Sequence, residues 1–241
     1  LDLTSPRIYS VLLDSIVWPR VQLSLGDLES LGKLFSRVVD FRSRFTATHS
    51  QGVSCVAAEL AGLHNFERRE VRLMRIAGYL HDIGKVAIPN SILEKPGKLA
   101  GDEMLIMKGH TYYTLKILET IEGFEDIRYW AAFHHERMDG KGYPFRCKGE
   151  ELSLGARIMA VADIFTALTE DRPYRAGLDK QECQSILDDF VANGGLDGKI
   201  VRTLKENYDS INDTRRSIQE KHLADYKRSF DEANNAKSLA S

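Results

Sequence analysis

A chain of 241 residues, 43% hydrophobic and 28% charged, has the composition of a globular protein and the length for a substantial core. Thirty-three Lys and Arg against 35 Asp and Glu leave a net charge of −2, which excludes a global basic field for duplex nucleic acid. Cys55, Cys147 and Cys183 form no CxxC pair, which argues against a disulfide framework or a thiolate zinc site and suits a reducing cytoplasm.

No apolar run approaches the ~20 residues that a membrane helix needs. The chain starts at Leu1 rather than Met and reads as a piece of a longer protein. Helical periodicity then recurs along it, and strand alternation does not. Leu28, Leu31, Phe35, Val38 and Val39 make a first inward stripe after the loop at Gly26; the stretch before it, with Trp18-Pro19, reads as linker or the end of an upstream domain. A helix over about 48–64 turns Val53, Val56, Ala57, Leu60 and Leu63 inward. Asn65 is the expected N-cap of the next, whose inward face is Val71, Met74, Ala77, Gly78 and His81, with Gly84 as its stop. Pro89 and Pro96-Gly97 mark an irregular connection.

A fourth helix, from about Asp102, aligns Ile106, His110, Tyr113, Ile117 and Ile121, and a fifth aligns Ile127, Trp130, Ala131 and His134. Residues 139–144 must be a loop, because Gly140, Gly142 and Pro144 break any helix. A helix over about 154–170 places Ala156, Ala160, Asp163 and Ala167 on one face, and two more fit 179–193 and 197–208. The tail carries a weaker stripe of Ile218, His222 or Leu223, Tyr226 and Phe230. The fold class is therefore all-α, with an N-terminal helical segment or linker over 1–45, a central domain over 46–210 and a helical tail over 211–241. The first helix and the tail could each pack on the core or pair with a second copy in a homodimer.

His81, His110, His134 and Asp163 each interrupt an apolar stripe on a separate helix. One such histidine is ordinarily a satisfied core residue. A buried Asp is costly unless paired or bound to a cation, and convergence on cations explains all four at once. The donors are nitrogen and oxygen, which points to a hard or borderline metal. Asp82, beside His81 where that helix ends, has two oxygens and could bridge a pair of ions.

At this point the chain resembles an HD-GYP domain, a branch of the HD metal-dependent phosphohydrolases. The matching residues are His49, His81-Asp82, Gly84-Lys85, Gly109-His110, His134-His135-Glu136, Asp139-Gly140, Gly142-Tyr143-Pro144, Val161-Ala162-Asp163 and Arg172-Pro173-Tyr174-Arg175. The resemblance implies an HD helical bundle with a metal centre in its core and two divalent ions, usually iron or manganese. His49, His81, Asp82 and Asp163 would hold the first; Asp82, His110, His134 and His135 the second, with Asp82 and a hydroxide bridging. Lys85 would contact the scissile phosphate of cyclic di-GMP, which the family hydrolyses to linear pGpG and in some members to GMP. Arg172 and Arg175 would engage phosphates or guanines, and Tyr143 would face the substrate or a protein partner from its loop. Glu136 and Asp139 would orient histidine rings from behind.

Each role has a plainer alternative: Lys85 as a cation at a helix C-terminus, Arg172 and Arg175 as solvated, the Gly-Tyr-Pro loop as a mere turn. Two positions depart from the family pattern. Phe45 stands where some members carry a third-metal carboxylate, so two ions are expected. Thr166 stands where many carry an Asp, which removes an outer acid. Beside the phosphodiesterase stand two rivals: a weakly active cyclic-dinucleotide receptor or partner-binding module, and a phosphodiesterase for a hybrid cyclic dinucleotide. An upstream sensor domain is the expected source of input.

Overall fold

The computed structural model describes residues 22–41, 48–171 and 175–239, and the side chains of residue 41 and of most positions beyond 225 lie outside it. Phe45 and Arg172 fall outside the described residues. Among the described residues ten α-helices follow in order: α1 (Leu25–Phe41), α2 (His49–Leu63), α3 (Arg68–Leu80), α4 (Asn90–Leu93), α5 (Gly101–Leu118), α6 (Glu125–Ala132), α7 (Leu154–Thr169), α8 (Lys180–Ala192), α9 (Gly198–Glu206) and α10 (Tyr208–Leu239). Short 3₁₀ turns occupy Ile83–Ala87 and Gly149–Glu151; the described residues hold no strand, and an isolated bridge joins Asp139 to Lys148. No described helix is long and apolar enough to cross a membrane.

The core sits around α2, whose Val53, Val56, Ala57, Leu60 and Ala61 are fully buried against α3, α7 and α10. Small residues at Ala57, Ala61, Ala77 and Ala162 let these helices approach closely, and Leu60, Met74, Ile76, Ile158, Met159 and Phe165 fill the space between them. Phe165 is completely enclosed, its ring edge-on to Tyr208 at 5.4 Å. Phe165→Ala is expected to cost about 3–5 kcal/mol, measurable by urea unfolding.

The sequence reading and the structure part company at three helix faces. On α1 the expected inward residues Leu31, Phe35 and Val38 are exposed; Val39 is buried as expected, and Gly32, Ser36 and Asp40 are buried in place of the others. Polar pairing decides this rotation: Gln51 Nε2 donates to Ser36 Oγ at 3.1 Å, Ser50 Oγ to Asp40 at 2.9 Å, and Arg72 Nε to Glu29 at 2.7 Å. On α5, Ile106 and Tyr113 are exposed, as is Ile121 beyond its end, and the helix buries His110, Thr111, Thr114 and Leu118. Leu63 is exposed at the end of α2. Asn65 adopts a left-handed φ of 63° after α2, and the N-cap of α3 is Glu67, whose amide donates to Glu70 at 2.8 Å. The tail is one unbroken helix from Tyr208, and its inward face is Ile211, Arg215, Gln219 and His222.

Candidate metal centre

Five helices deliver the site. His49 opens α2, His81 caps the end of α3 with Asp82 following, and His110 lies in the middle of α5. His134 and His135 follow α6, and Asp163 lies within α7. Three triads hold donor atoms within 4.8 Å of one another: His49, His81 and Asp163; His81, Asp82 and His134; His110, His134 and His135. His81 and His134 are each shared by two triads, and Asp82 belongs to the one that links the other two. Asp82 Oδ2 lies 3.2 Å from His81 Nε2 and its Oδ1 3.3 Å from His110 Nε2, so its two oxygens face two different groups of histidines.

The ring orientations are set from behind. His81 Nδ1 lies 2.8 Å from Gly78 O, His110 Nδ1 2.7 Å from Met107 O, and His134 Nδ1 2.6 Å from Ala131 O. A carbonyl accepts only, so each Nδ1 carries a proton, and a neutral ring then points an Nε2 lone pair inward. His134 is neutral, because burial and the neighbouring His135 hold its pKa well below the usual value. His110 Nε2 and His134 Nε2 face each other at 3.4 Å. Two inward nitrogens beside an ionised Asp82 form a donor set that a divalent cation completes, and the residues present fit one.

His49 is arranged differently. Its Nε2 lies 3.0 Å from Asp163 Oδ1 and its Nδ1 3.1 Å from both oxygens of Glu170. Burial alone would push its pKa down, but the carboxylates of Glu170 and Asp163 outweigh that and raise it to about 10. Burial likewise works to raise Asp163 and Asp82, yet both are held well below the usual carboxylate range, Asp163 through the His49 hydrogen bond and Asp82 chiefly through Lys85 and His81. His135, half-exposed at the rim, is pushed down to about 4 by burial. Lys85 Nζ reaches Asp82 Oδ2 at 2.5 Å, which places this ammonium beside the shared carboxylate.

The Gly-Tyr-Pro loop folds back over the two histidines that precede it. Tyr143 N donates to His135 O at 3.2 Å, and the tyrosine ring lies 4.8 Å from that of His135. Lys108 Nζ sits 5.1 Å above the Tyr143 ring, a cation at the rim that the motif reading missed. Only glycine fits at 142, where a Cβ would come within 2.5 Å of Arg137 N and Glu136 Cα.

Glu136 and Asp139 do not do what was expected of them. Glu136 accepts the backbone amides of Phe145 at 2.6 Å, Arg146 at 3.1 Å and Cys147 at 3.1 Å, and Asp139 pairs with Arg137 at 2.9–3.0 Å and accepts Lys141 N at 2.9 Å. Both carboxylates shape the loop, and neither bonds a histidine ring among the described residues. The loop amides are the nearer unsatisfied donors, and they claim the oxygens. Arg175 is exposed, with its guanidinium on Ala167 O at 2.8 Å. Thr166 is buried, and its hydroxyl makes no hydrogen bond among the described residues. Two further contributors escaped the sequence reading. Thr114 Oγ1 accepts Gly84 N and donates to His81 O, both at 3.0 Å, and so clamps the His81-Asp82 turn. Glu170 lies seven residues after Asp163, two turns along the same face, and that spacing was a usable signal.

Fold and site together define an all-helical domain in which histidines and aspartates from five helices converge on cation-binding positions. The chain belongs to the HD domain family, which it matches over residues 33–200. It is 36% identical over 186 residues to 3'3'-cGAMP-specific phosphodiesterase 1 of Vibrio cholerae, covering 77% of this chain and 43% of that protein. It is 42% identical over 149 residues to the cyclic di-GMP phosphodiesterase response regulator RpfG of Xanthomonas campestris pv. campestris, covering 61% of this chain and 39% of that one. The chain thus spans less than half the length of these curated relatives. Among solved structures, Bd1817, an HDG"Y"P protein from Bdellovibrio bacteriovorus, shares the fold at a TM-score of 0.58 and 16% identity, over 77% of this chain and 65% of that one.

Proposed function

We propose that this chain is a metal-dependent phosphodiesterase domain that hydrolyses cyclic di-GMP to linear pGpG, and onward to GMP, in the cytoplasm. The observation that carries the reading is Asp82, whose two oxygens face the His81 and His110 groups separately, as a bridging carboxylate would. His49, His81, Asp82 and Asp163 would hold one ion, and Asp82, His110, His134 and His135 the other. A nitrogen and oxygen donor set without thiolate suits iron or manganese. When bound, such ions supply Lewis acidity that lowers the pKa of water and offsets charge building on phosphorus.

The remaining groups bind and orient. Lys85, held protonated by Asp82 against the effect of burial, places positive charge where a phosphodiester would lie. The Tyr143 hydroxyl stays protonated, since burial and the nearby Asp163 and Asp82 raise its pKa, and so it can donate to a phosphate oxygen. Arg172 and Arg175 would meet the second phosphate or a guanine edge, for which a guanidinium fork is suited. Gly142→Ala is expected to displace Tyr143, and a shift of about 1 Å costs up to roughly 10²-fold in turnover. Steady-state rates beside an unchanged metal content would check this.

The names of the Vibrio relatives favour a second reading, a phosphodiesterase for the hybrid dinucleotide 3'3'-cGAMP. Purified protein loaded with Fe(II) or Mn(II) should be incubated with cyclic di-GMP and with 3'3'-cGAMP in parallel, and the products separated by chromatography. Faster cleavage of cyclic di-GMP supports the first reading, and faster cleavage of 3'3'-cGAMP the second. Tight binding of either without cleavage by metal-replete protein would overturn both in favour of a receptor.

A further inference from the structure

Behind the first metal position lies a layer of polar groups supplied by the far end of the chain. Glu170, which faces His49 Nδ1, has its Oε2 3.4 Å from Gln219 Nε2 on α10. The same amide nitrogen donates to Thr48 O at 3.0 Å, next to His49 in sequence. Gln219 Oε1 accepts from Arg215, whose other nitrogens donate to Thr169 O at 3.1 Å and Asn212 Oδ1 at 2.8–3.0 Å. Glu170, Arg215 and Gln219 are 5%, 2% and 7% exposed, and they line the wall of a cavity of about 510 Å³. A buried guanidinium and amide are tolerated only when their donors are satisfied, so these contacts fix the rotamers of all three side chains. Space for them is made by Gly52, one turn after His49: a Cβ there would lie 2.8 Å from Gln219 Nε2 and 2.7 Å from Thr166 Cγ2.

We propose that Gln219 and Arg215 are positioning residues for the metal centre, fixing the Glu170 carboxylate on His49 Nδ1 so that His49 Nε2 stays aimed at the first metal position. The inference rests on the reading of His49, His81 and Asp163 as that position. It makes α10 part of the site without assigning any ligand to α10. The second position has no such dependence, because His110 and His134 are oriented by carbonyls of their own helices. A carboxylate that orients a metal-bound imidazole is worth about 10–100-fold in metal affinity.

The test is a Mn(II) titration of metal-stripped full chain, following free Mn(II) by electron paramagnetic resonance, with no nucleotide present. In a His110→Ala background, which leaves the first position to be read, Gln219→Met and Glu170→Gln should each weaken binding about 10-fold or more. In a His49→Ala background, which leaves the second, the same changes should have no effect. Gln219→Met keeps the side-chain volume, and far-ultraviolet circular dichroism identifies any variant that has not folded; should it fail, Glu170→Gln decides. Unchanged affinity in the first background, or equal weakening in both, overturns the inference. Absence of Mn(II) binding by the unmutated chain would instead overturn the metal-centre reading itself.

Discussion

Asp82→Ala is expected to remove both phosphodiesterase activity and the second equivalent of metal. Asp82 is the member whose oxygens meet the His81 and the His110 groups. On the two-ion reading, its loss would leave each ion with histidines alone on that side and would take away the negative charge that offsets two dications. Removing a residue on which a whole catalytic unit depends costs on the order of 10⁴-fold or more in turnover. Asp82→Asn should behave nearly as badly, because it keeps the shape and discards the charge. The metal-free protein should suffer too. Asp82 is 3% exposed and pairs with Lys85, so truncation strands that ammonium, with a cost near 3 kcal/mol. Metal analysis, product chromatography and thermal unfolding of the stripped protein read these three effects separately. Full activity with one ion per chain would sink the bridging role.

Lys85→Met should separate metal binding from chemistry. The lysine lies 2.5 Å from Asp82, yet it offers a cation rather than a lone pair, so it cannot be a ligand while protonated. Its substitution should leave the metal content intact and lower kcat by about 10²–10³-fold, the range for losing one preorganised donor to a developing anion. KM should change less than kcat if the contact tightens in the transition state. The alternative role, a cation set against a helix end, predicts something else: a stability change below about 1 kcal/mol and an unaltered kcat. Steady-state kinetics of Lys85→Met beside its melting curve decide between them.

The sequence showed which residues would meet at the centre more readily than how the helices rotate around it. His81, His110, His134 and Asp163 were legible because polar residues on apolar stripes have few explanations, and the structure does gather them into adjoining triads whose donor atoms lie within 4.8 Å of one another. The faces of α1 and α5 were not legible. Periodicity assumes that the most apolar face is buried, and on α1 the Ser36, Asp40, Ser50 and Gln51 contacts set the rotation and leave Leu31, Phe35 and Val38 outside. Gln219 left no signal either, because its partner Thr48 O lies 171 positions earlier in the chain. Glu136 misled for the opposite reason. Its neighbourhood in the motif suggested a histidine partner, and the loop amides of residues 145–147 were invisible until the chain folded.

The carbonyls behind the imidazoles have one more consequence. Gly78 O and Ala131 O lie in the last turns of α3 and α6, where backbone acceptors have no intrahelical donor, so His81 and His134 terminate their helices with the same side chains that face the centre. The entropy of freezing those rings is therefore spent when the helices form, before any ion arrives. An incoming cation would meet ring nitrogens already aligned and need order little of the protein. Affinity at such a centre would be set in advance by folding, and whatever frays the end of α3 or α6 would weaken it by freeing the His81 or His134 ring.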